Sequence, residues 1–247
     1  MPQFFIKKEN IQENKTLITN LSDINHIVNV LRYKKKDKLI IAAPDNFVYE
    51  VEIVSIKPDL IETKITDKYF SDKRLKINIT LAQSIIKSQK QDFLIQKATE
   101  LGVRTIIPFV SKNTVVKFDS EKDKFSKVQR WQKIVYESAK QCKRGDLAEI
   151  KPISTFDEVV NFAGYDLKIV CSEKEDAFSI KQFLSENKVA ENANILIVIG
   201  PEGGWDDKEI NKFAQNGFAS VTLGKLIYRA ETAATVAISH IIYEYEL

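Results

Sequence analysis

The chain has 247 residues and a net charge of +3, and 44% of its residues are hydrophobic. This composition indicates a globular protein that can bury a core without disulfides, and it excludes a disordered or low-complexity chain. No apolar run approaches the roughly 20 residues that a membrane helix needs. Lys7 and Lys8 interrupt the first apolar stretch, so no signal peptide is predicted and a cytoplasmic location is expected.

The chain offers few side chains for redox or metal chemistry. Its only cysteines, Cys142 and Cys171, follow unlike patterns, and we expect both to be reduced. Its only histidines, His26 and His240, lie far apart, and no histidine–cysteine cluster has metal-ligand spacing. We therefore expect no bound metal. No nucleophile-elbow motif supports a serine hydrolase.

Residues 1–70 show the pattern of short strands and turns. Residues 47–56 alternate between two faces, which predicts a strand, and the turn pair Asp45-Asn46 before it predicts a hairpin with residues 38–41. Residues 60–65 form a further candidate strand. Helical spacing of apolar residues predicts one helix over Asp23–Leu31. Together these features predict a small β-barrel with one short helix.

Residues 67–75 are charged and show no clear period. We place a domain boundary here, between a first domain over residues 1–70 and a second over residues 74–247. The alternative interpretation is an ordinary loop within a single domain.

From residue 77 onward, candidate strands alternate with candidate helices, which predicts an α/β fold with a mainly parallel sheet. Residues 195–199 are apolar without interruption, as is typical of a strand buried on both faces. The predicted strands are 77–81, 103–107, 168–171, 195–199 and 221–223, and the predicted helices are 91–101, 128–142, 180–187, 207–216 and 232–245. Gly102 and Gly217 are expected to end helices, and Pro108 is expected to end a strand.

Three of these strands end in segments that can carry a ligand, because ligands bind beyond the carboxyl ends of parallel strands. The segments follow Val170, Ile199 and Leu223. The second, Ile199-Gly200-Pro201-Glu202-Gly203-Gly204-Trp205, can extend neither a strand nor a helix, and its glycines let the backbone approach a flat ligand. It matches neither the dinucleotide fingerprint nor the P-loop. The alternative is a tight turn, with Asp206 or Asp207 capping the next helix.

A local excess of positive charge lies between Lys112 and Arg144, where ten Lys and Arg residues outnumber four Asp and Glu residues. Such a basic face is the expected footprint of a phosphate-binding surface. The apolar residues of the predicted helix share one side and are expected to be core. Arg130, Lys133 and Arg144 lie on another side, which is either a nucleic-acid surface or an ordinary solvated face.

Four segments resemble, in colinear order over nearly the whole chain, the motifs of one family. The segments are Gln96–Val103, Arg130–Arg144, Ile199–Trp205 and Leu223–Ala234, and His26–Arg32 fits as well. In combination they resemble the RsmE family of the SPOUT superfamily. Members of that family are S-adenosylmethionine-dependent enzymes that methylate N3 of a uridine in small-subunit (16S) ribosomal RNA.

The resemblance implies features that patterning does not predict. The second domain is expected to carry a C-terminal trefoil knot, and the first is expected to be a PUA-like barrel that binds RNA. The enzyme is expected to be a homodimer with each active site near the subunit interface, acting on ribosomal RNA or the small ribosomal subunit. Generic topology rules disfavour knots, so periodicity alone indicates an ordinary doubly wound sheet.

The resemblance also implies that S-adenosylmethionine is the cofactor and that the three strand-end segments hold it. The cofactor-binding residues it implies are Val170, Ser172, Ile199, Gly200, Gly203, Leu223, Gly224, Leu226, Ile227 and Thr232. We expect the backbone of residues 200–204 to hold the cofactor rather than to perform the chemistry.

Arg229 and Glu202 are the candidate catalytic residues. An arginine can stabilise the negative charge that spreads over N3 and the carbonyl oxygens once uridine loses its proton. Glu202 or Glu231 can accept that proton. The alternatives are that Arg229 forms a structural ion pair with one of these glutamates, that Glu202 only shapes its loop, and that water accepts the proton.

Six basic residues are candidates for RNA contact. They are Arg32, Lys87, Lys90, Arg130, Lys133 and Arg144. For Arg144 the alternative is a charge that complements the dipole at a helix end. Two other functions remain open at this point, a SPOUT methyltransferase acting on ribose 2′-hydroxyls and a non-catalytic RNA-binding assembly factor.

Overall fold

The computed structural model describes residues 1–44 and 47–247. The chain forms two compact units, and each has its own hydrophobic core. The first unit comprises Met1–Arg74 and Ala139–Leu147, and the second comprises Leu75–Ser138 and Ala148–Leu247.

The first unit is built on six strands, which are β1 (Gln3–Phe5), β2 (Ile11–Gln12), β3 (Lys15–Ile18), β4 (Lys38–Ala42), β5 (Phe47–Lys57) and β6 (Leu60–Phe70). They form one sheet in the order β1-β4-β5-β6-β3-β2, and among its described residues only the β1–β4 pair is parallel. The short helix α1 (Leu21–Asn25) begins at Asn20, whose side chain accepts two backbone N–H bonds, and continues into a π-helical turn over His26–Val30. The predicted hairpin is confirmed by the β4–β5 pairing, and its turn, Asp45-Asn46, lies outside the described residues.

Strand β6 is longer than predicted. Residues 67–70, which we expected to lack regular structure, pair with the beginning of β5. Phe47 and Phe70 meet edge to face with ring centroids 5.8 Å apart, and the Lys68 ammonium lies 3.9 Å from the Phe47 ring centroid. These cross-strand contacts stabilise the end of β6, where charged residues obscure the alternation of apolar and polar residues that would predict a strand.

The second unit contains a seven-stranded sheet whose pairings are all parallel. Its strands are β7 (Asn78–Ser84), β8 (Thr105–Val110), β9 (Glu149–Ile150), β10 (Ser154–Thr155), β11 (Leu167–Cys171), β12 (Asn194–Ile199) and β13 (Ala219–Val221). The helices are α2 (Ser88–Glu100), α3 (Glu121–Cys142, whose last four residues belong to the first unit), α4 (Phe156–Val160), α5 (Ile180–Glu186), α6 (Asp207–Gln215) and α7 (Ala230–Tyr245). The predicted α/β class with a mainly parallel sheet is therefore confirmed.

The order of the sheet is β10-β8-β7-β12-β11-β13, with β9 beside β8. Strand β12 lies between β7 and β11, and residues 195–199 are all buried, as predicted for a strand covered on both faces. Gly102 and Gly217 follow α2 and α6 with φ of +87° and +77°, as expected for residues that end helices.

The prediction that Pro108 ends its strand is wrong, because β8 continues to Val110. On its outer side, β8 pairs with β9 at Thr105 and Ile106 and with β10 at Phe109 and Val110. Pro108 lies in the gap between these partners, where its missing N–H costs no ladder bond on that side.

Candidate active site

The carboxyl ends of β11, β12 and β13 meet at one edge of the second unit's sheet. Cys171 is in register with Ile199 on one side and with Val221 on the other. The segments that follow line a cavity of about 980 Å³, together with Lys90 of α2 and Ala233 of α7. The three strand-end segments predicted from the sequence therefore line one cavity.

The segment after β12 approaches its neighbours so closely that two of its glycines have no room for a side chain. A Cβ on Gly200 would lie 2.9 Å from Cε2 of Trp205. A Cβ on Gly204, whose φ is +69°, would lie 2.3 Å from the Glu173 carboxylate. The glycines thus let the backbone itself form the cavity wall.

Two polar side chains donate hydrogen bonds to backbone carbonyl oxygens of this segment. The Gln83 amide donates to the Gly200 carbonyl at 3.2 Å, and the Asn113 amide donates to the Gly204 carbonyl at 3.0 Å. Gln83 is fully buried at the end of β7, beside β12. Sequence reasoning missed both residues. Gln83 could have been found as a polar residue ending an apolar strand, whereas nothing in the sequence connects Asn113 with this loop.

Most of the residues predicted to bind a cofactor line the cavity. Those that do are Ser172, Ile199, Gly200, Gly203, Leu223, Gly224, Leu226 and Ile227. Val170 does not, because it is fully buried in the hydrophobic cluster on one face of the sheet. Thr232 does not either: it is exposed in the first turn of α7, where Ala230 and Ala233 face the cavity instead.

Both candidate catalytic residues line the cavity. Arg229 is exposed at the N-cap of α7, and within the described residues its guanidinium has no ion pair with Glu202 or Glu231. Glu202 instead contacts the Lys90 ammonium. Glu231 lies outside the cavity lining, and its buried Oε2 atom has no hydrogen-bond partner within residues 1–44 and 47–247. Arg229 is therefore available to a bound molecule.

Cys171 lines the cavity, and the residue is buried. Burial raises its pKa to about 12, so the thiol is uncharged at neutral pH and contributes an apolar surface rather than a nucleophile. Next to the cavity, Asp206 caps α6 and bonds to the Lys112 ammonium at 2.5 Å. That hydrogen bond lowers the pKa of Asp206, so the cap remains ionised. The helix cap given as the alternative to a binding loop is thus present together with the cavity.

The candidate RNA-binding residues have different surroundings. Lys87 and Lys133 are exposed on the second unit, and Arg130 is exposed but bonds to Ser88 and Asp92. Lys90 lines the cavity. Arg32, in the first unit, is exposed with a φ of +57°, which is uncommon for a residue with a side chain.

Arg144 does not have the exposure expected of a residue that contacts RNA. It is 6% exposed, and its Nε and Nη2 atoms bond to Oδ1 of Asp146 at 3.1 and 2.9 Å. These contacts lie within the first unit and turn the guanidinium toward the protein. The periodicity of α3 could not reveal this, because the helix ends at Cys142 and Arg144 lies in the turn beyond it.

Within residues 1–44 and 47–247, no three or more His, Cys, Asp or Glu side chains are grouped so that they could hold a metal ion. No helix in that part of the chain is both long enough and apolar enough to cross a membrane.

Comparison with known proteins gives two family matches. Residues 73–242 match the RNA methyltransferase domain, and residues 18–66 match the RNA methyltransferase PUA domain. The chain is 31% identical to ribosomal RNA small subunit methyltransferase E of Bacillus subtilis, covering 100% of this chain and 98% of that protein. It is 35% identical to the protein of that name from Mesomycoplasma hyopneumoniae, over 95% and 96% of the two chains.

Solved structures agree with this relationship. The ribosomal RNA small subunit methyltransferase E from Neisseria gonorrhoeae, bound to S-adenosylmethionine, superposes with a TM-score of 0.86 at 27% identity, covering 99% of this chain and 98% of that one. A Legionella pneumophila methyltransferase in complex with the same cofactor gives 0.85 at 27% identity, covering 98% and 96%. These matches confirm the predicted PUA-like character of the first domain and the resemblance to the RsmE family. With three strand-end segments around one cavity and matches along both of its units, the chain belongs to the RNA methyltransferase family, among the ribosomal RNA small subunit methyltransferase E proteins.

Proposed function

We propose that this protein uses S-adenosylmethionine to methylate N3 of one uridine in small-subunit (16S) ribosomal RNA. The observation that carries the proposal is the exposed Arg229, which lines the cavity of the three strand-end segments and has no ion pair among the described residues. The substrate follows from the family, because its relatives are named for the small-subunit ribosomal RNA. This substrate would place the protein's activity in the cytoplasm.

The cavity fits the proposed cofactor in size and chemistry. Its volume of about 980 Å³ is at the upper end of the range for small-molecule sites. Backbone at Gly200 and Gly203 and apolar side chains of Leu223, Leu226 and Ile227 would surround the adenosine and amino-acid parts. S-adenosylmethionine, when bound, supplies the electrophilic methyl group.

The residues at the rim would activate the uridine. N3 becomes a nucleophile only after its proton leaves, and the negative charge then spreads over N3 and two carbonyl oxygens. The Arg229 guanidinium presents several N–H donors in one plane and can bond along that base edge. We assign Glu202 as the proton acceptor because it lines the cavity and Glu231 does not. Water is the alternative acceptor.

The remaining parts of the chain would position the RNA. We propose that residues 1–70 form the RNA-binding domain and residues 74–247 the catalytic domain, with Arg32, Lys87, Lys90, Arg130 and Lys133 as phosphate contacts. A trefoil knot around the strand-end segments and a homodimer with each site near the subunit interface are part of the same proposal. Exposure of Leu226 and Ile227, at 73% and 82%, is consistent with a loop that a cofactor or a second subunit covers.

A transfer assay tests the proposal. Purified protein is mixed with cofactor carrying a labelled methyl group and with either naked small-subunit RNA or small subunits that lack the modification. We expect label on the RNA and N3-methyluridine after digestion to nucleosides. Label on a ribose 2′-oxygen would instead favour the ribose methyltransferase. No transfer to either substrate, with no cofactor binding in calorimetry, would favour the non-catalytic assembly factor.

A further inference from the structure

Trp205 forms a hydrogen bond between two of the three segments that wall the cavity. Its indole Nε1 donates to the carbonyl oxygen of Cys171 at 2.8 Å, and this bond is buried. Cys171 is the last residue of β11, whereas Trp205 ends the segment that follows β12. The side chain of one cavity segment therefore holds the backbone at the start of another.

A second bond joins the same two segments in the other direction. The backbone N–H of Trp205 donates to Oε1 of Glu173 at 2.9 Å. The same carboxylate lies against Gly204, where an added Cβ would come within 2.3 Å of Oε1. Glu173 is thus used for a bond within the cavity wall rather than being free to bind a ligand through that oxygen.

The third segment is attached to this pair through the sheet. The backbone N–H of Ser172 donates to the carbonyl oxygen of Val221 at 3.0 Å, immediately before the segment that contains Gly224 and Arg229. A displacement of Cys171 and Ser172 would therefore also shift the backbone of the other two cavity segments. Trp205 has the central position because its ring also supports Gly200 from behind.

Packing alone does not explain these contacts. The Trp205 ring stacks near Phe109, with centroids 6.3 Å apart and planes at 18°, and meets Phe213 edge to face at 5.2 Å. Any large aromatic ring could fill this space. Among the large aromatic side chains Phe, Tyr and Trp, only that of Trp carries an N–H group, and in Trp205 this group donates to the Cys171 carbonyl in a buried bond.

We propose that Trp205 is a positioning residue that, with Glu173, holds the cavity walls in the conformation that binds the cofactor. The inference rests on the proposed function, since it takes S-adenosylmethionine as the ligand. Trp205 does not line the cavity, so it acts through the Gly200 and Cys171 backbone rather than by touching the ligand. Its loss should raise the KM for the cofactor and leave kcat nearly unchanged, because the reacting groups remain in place.

The chain offers a matched control for this test. Trp131 is also buried, at 3% exposure against 2% for Trp205, and it packs in the core on α3 away from the cavity lining. Trp131→Phe removes the same atoms as Trp205→Phe. The Kd for S-adenosylmethionine, measured by calorimetry, should increase about threefold to tenfold in Trp205→Phe, which is the effect of one lost hydrogen bond. In Trp131→Phe it should stay within about twofold.

Glu173 supplies a second test that does not depend on core packing. Glu173→Gln retains an oxygen that can accept the Trp205 N–H, whereas Glu173→Ala removes it. We expect Glu173→Gln to bind the cofactor like the unmodified chain and Glu173→Ala to bind as weakly as Trp205→Phe. Equal weakening in both Glu173 variants would mean that the charge contacts the ligand directly, and this would overturn the inference.

The outcomes separate the inference from the proposed function. If the unmodified chain binds no S-adenosylmethionine, the proposed function fails and the inference falls with it. If the unmodified chain binds and the two tryptophan variants have equal affinities, the inference alone is overturned. Weaker binding in Trp205→Phe and Glu173→Ala only, with kcat retained, supports it.

Discussion

Arg229 is the residue whose surroundings bear most directly on the proposed chemistry. It is exposed at the N-cap of α7 and lines the cavity, and no acidic side chain among the described residues neutralises it. An arginine that is not used within the protein can bond to a negatively charged base edge. The ion-pair alternative from the sequence does not hold in this structure.

Substitution of Arg229 should therefore affect catalysis more than RNA binding. We expect Arg229→Ala to reduce kcat about 10²-fold to 10³-fold, the usual effect of removing one donor to a developing negative charge. Arg229→Lys should restore only part of the rate, because an ammonium lacks the planar set of donors. The measurements are methyl transfer under saturating cofactor and RNA binding by filter retention. An equal loss of rate and RNA affinity would show instead that Arg229 is a phosphate contact.

At the level of single residues, the sequence predicted the cavity lining better than it predicted the surrounding contacts. Glycines and strand ends could be located because backbone requirements act over a few neighbouring residues. The burial of Arg144 could not be predicted, because its contact with Asp146 depends on the turn after α3 and not on the helix pattern. Asn113 was missed because its bond to Gly204 joins residues 91 positions apart.

Tyr245 of α7 forms hydrogen bonds to the end of α5, and we expect this contact to be lost at alkaline pH. The Tyr245 hydroxyl lies 2.5 Å from the carbonyl oxygen of Asn187 and 3.2 Å from that of Leu184. Burial, followed by the nearby charge of Glu244, raises the pKa of Tyr245 to about 12. The neutral phenol is the form that can donate to these carbonyls.

The sign of the pH effect follows from the raised pKa. Tyrosine in the unfolded chain has a pKa near 10, so the contribution of Tyr245 is complete below about pH 10 and is lost as the pH rises toward 12. We expect Tyr245→Phe to lower the free energy of unfolding by about 1 kcal/mol at pH 8. In denaturant titrations, the difference in free energy of unfolding between the unmodified chain and Tyr245→Phe should narrow above pH 10. If the two free energies of unfolding differed by the same amount from pH 8 to pH 11, the hydroxyl of Tyr245 would not be the group that loses its contribution.

Elements with a strong local pattern were predicted well. Helices α2, α6 and α7 were located within a few residues because burial of one face gives a helical period. Strand β12 was located because burial of both faces gives an uninterrupted apolar run. The failures have tertiary causes. Pro108 is tolerated inside β8 because the strand changes its outer neighbour there, and β6 is extended by aromatic contacts with β5.

The division of the whole chain is less simple than two consecutive segments. Residues 139–147 belong to the first unit although they lie far along the chain. Within that unit the Lys140 ammonium lies 3.4 Å from the Asp23 carboxylate, and both side chains are nearly inaccessible, at 9% and 2%. The Gln3 amide donates to the Arg144 carbonyl at 2.5 Å. A sequence pattern cannot reveal that residues 139–147 pack in the first unit, because periodicity describes only neighbours along the chain.

Removing one member of the buried pair should therefore destabilise the first unit. We expect Asp23→Ala to cost about 3 kcal/mol, because Lys140 would be left as a buried charge without this partner. Amide hydrogens of residues 139–147 should then exchange faster, together with those of the first unit's strands. Glu9→Ala, which removes an exposed pair with Lys7, is the control and should leave exchange unchanged. If the amide exchange rates of residues 139–147 changed together with those of residues 121–138 instead, residues 139–147 would not belong to the first unit.

Mass analysis of ribosomal RNA nucleosides can identify the base that this protein methylates. Small-subunit RNA is isolated from cells that carry the gene for this chain and from cells that lack it, and is digested to nucleosides. We expect N3-methyluridine in the first sample and none in the second, and we expect the unmodified chain, but not Arg229→Ala, to restore it. An equal amount of N3-methyluridine in the presence and absence of the gene would contradict the proposed function.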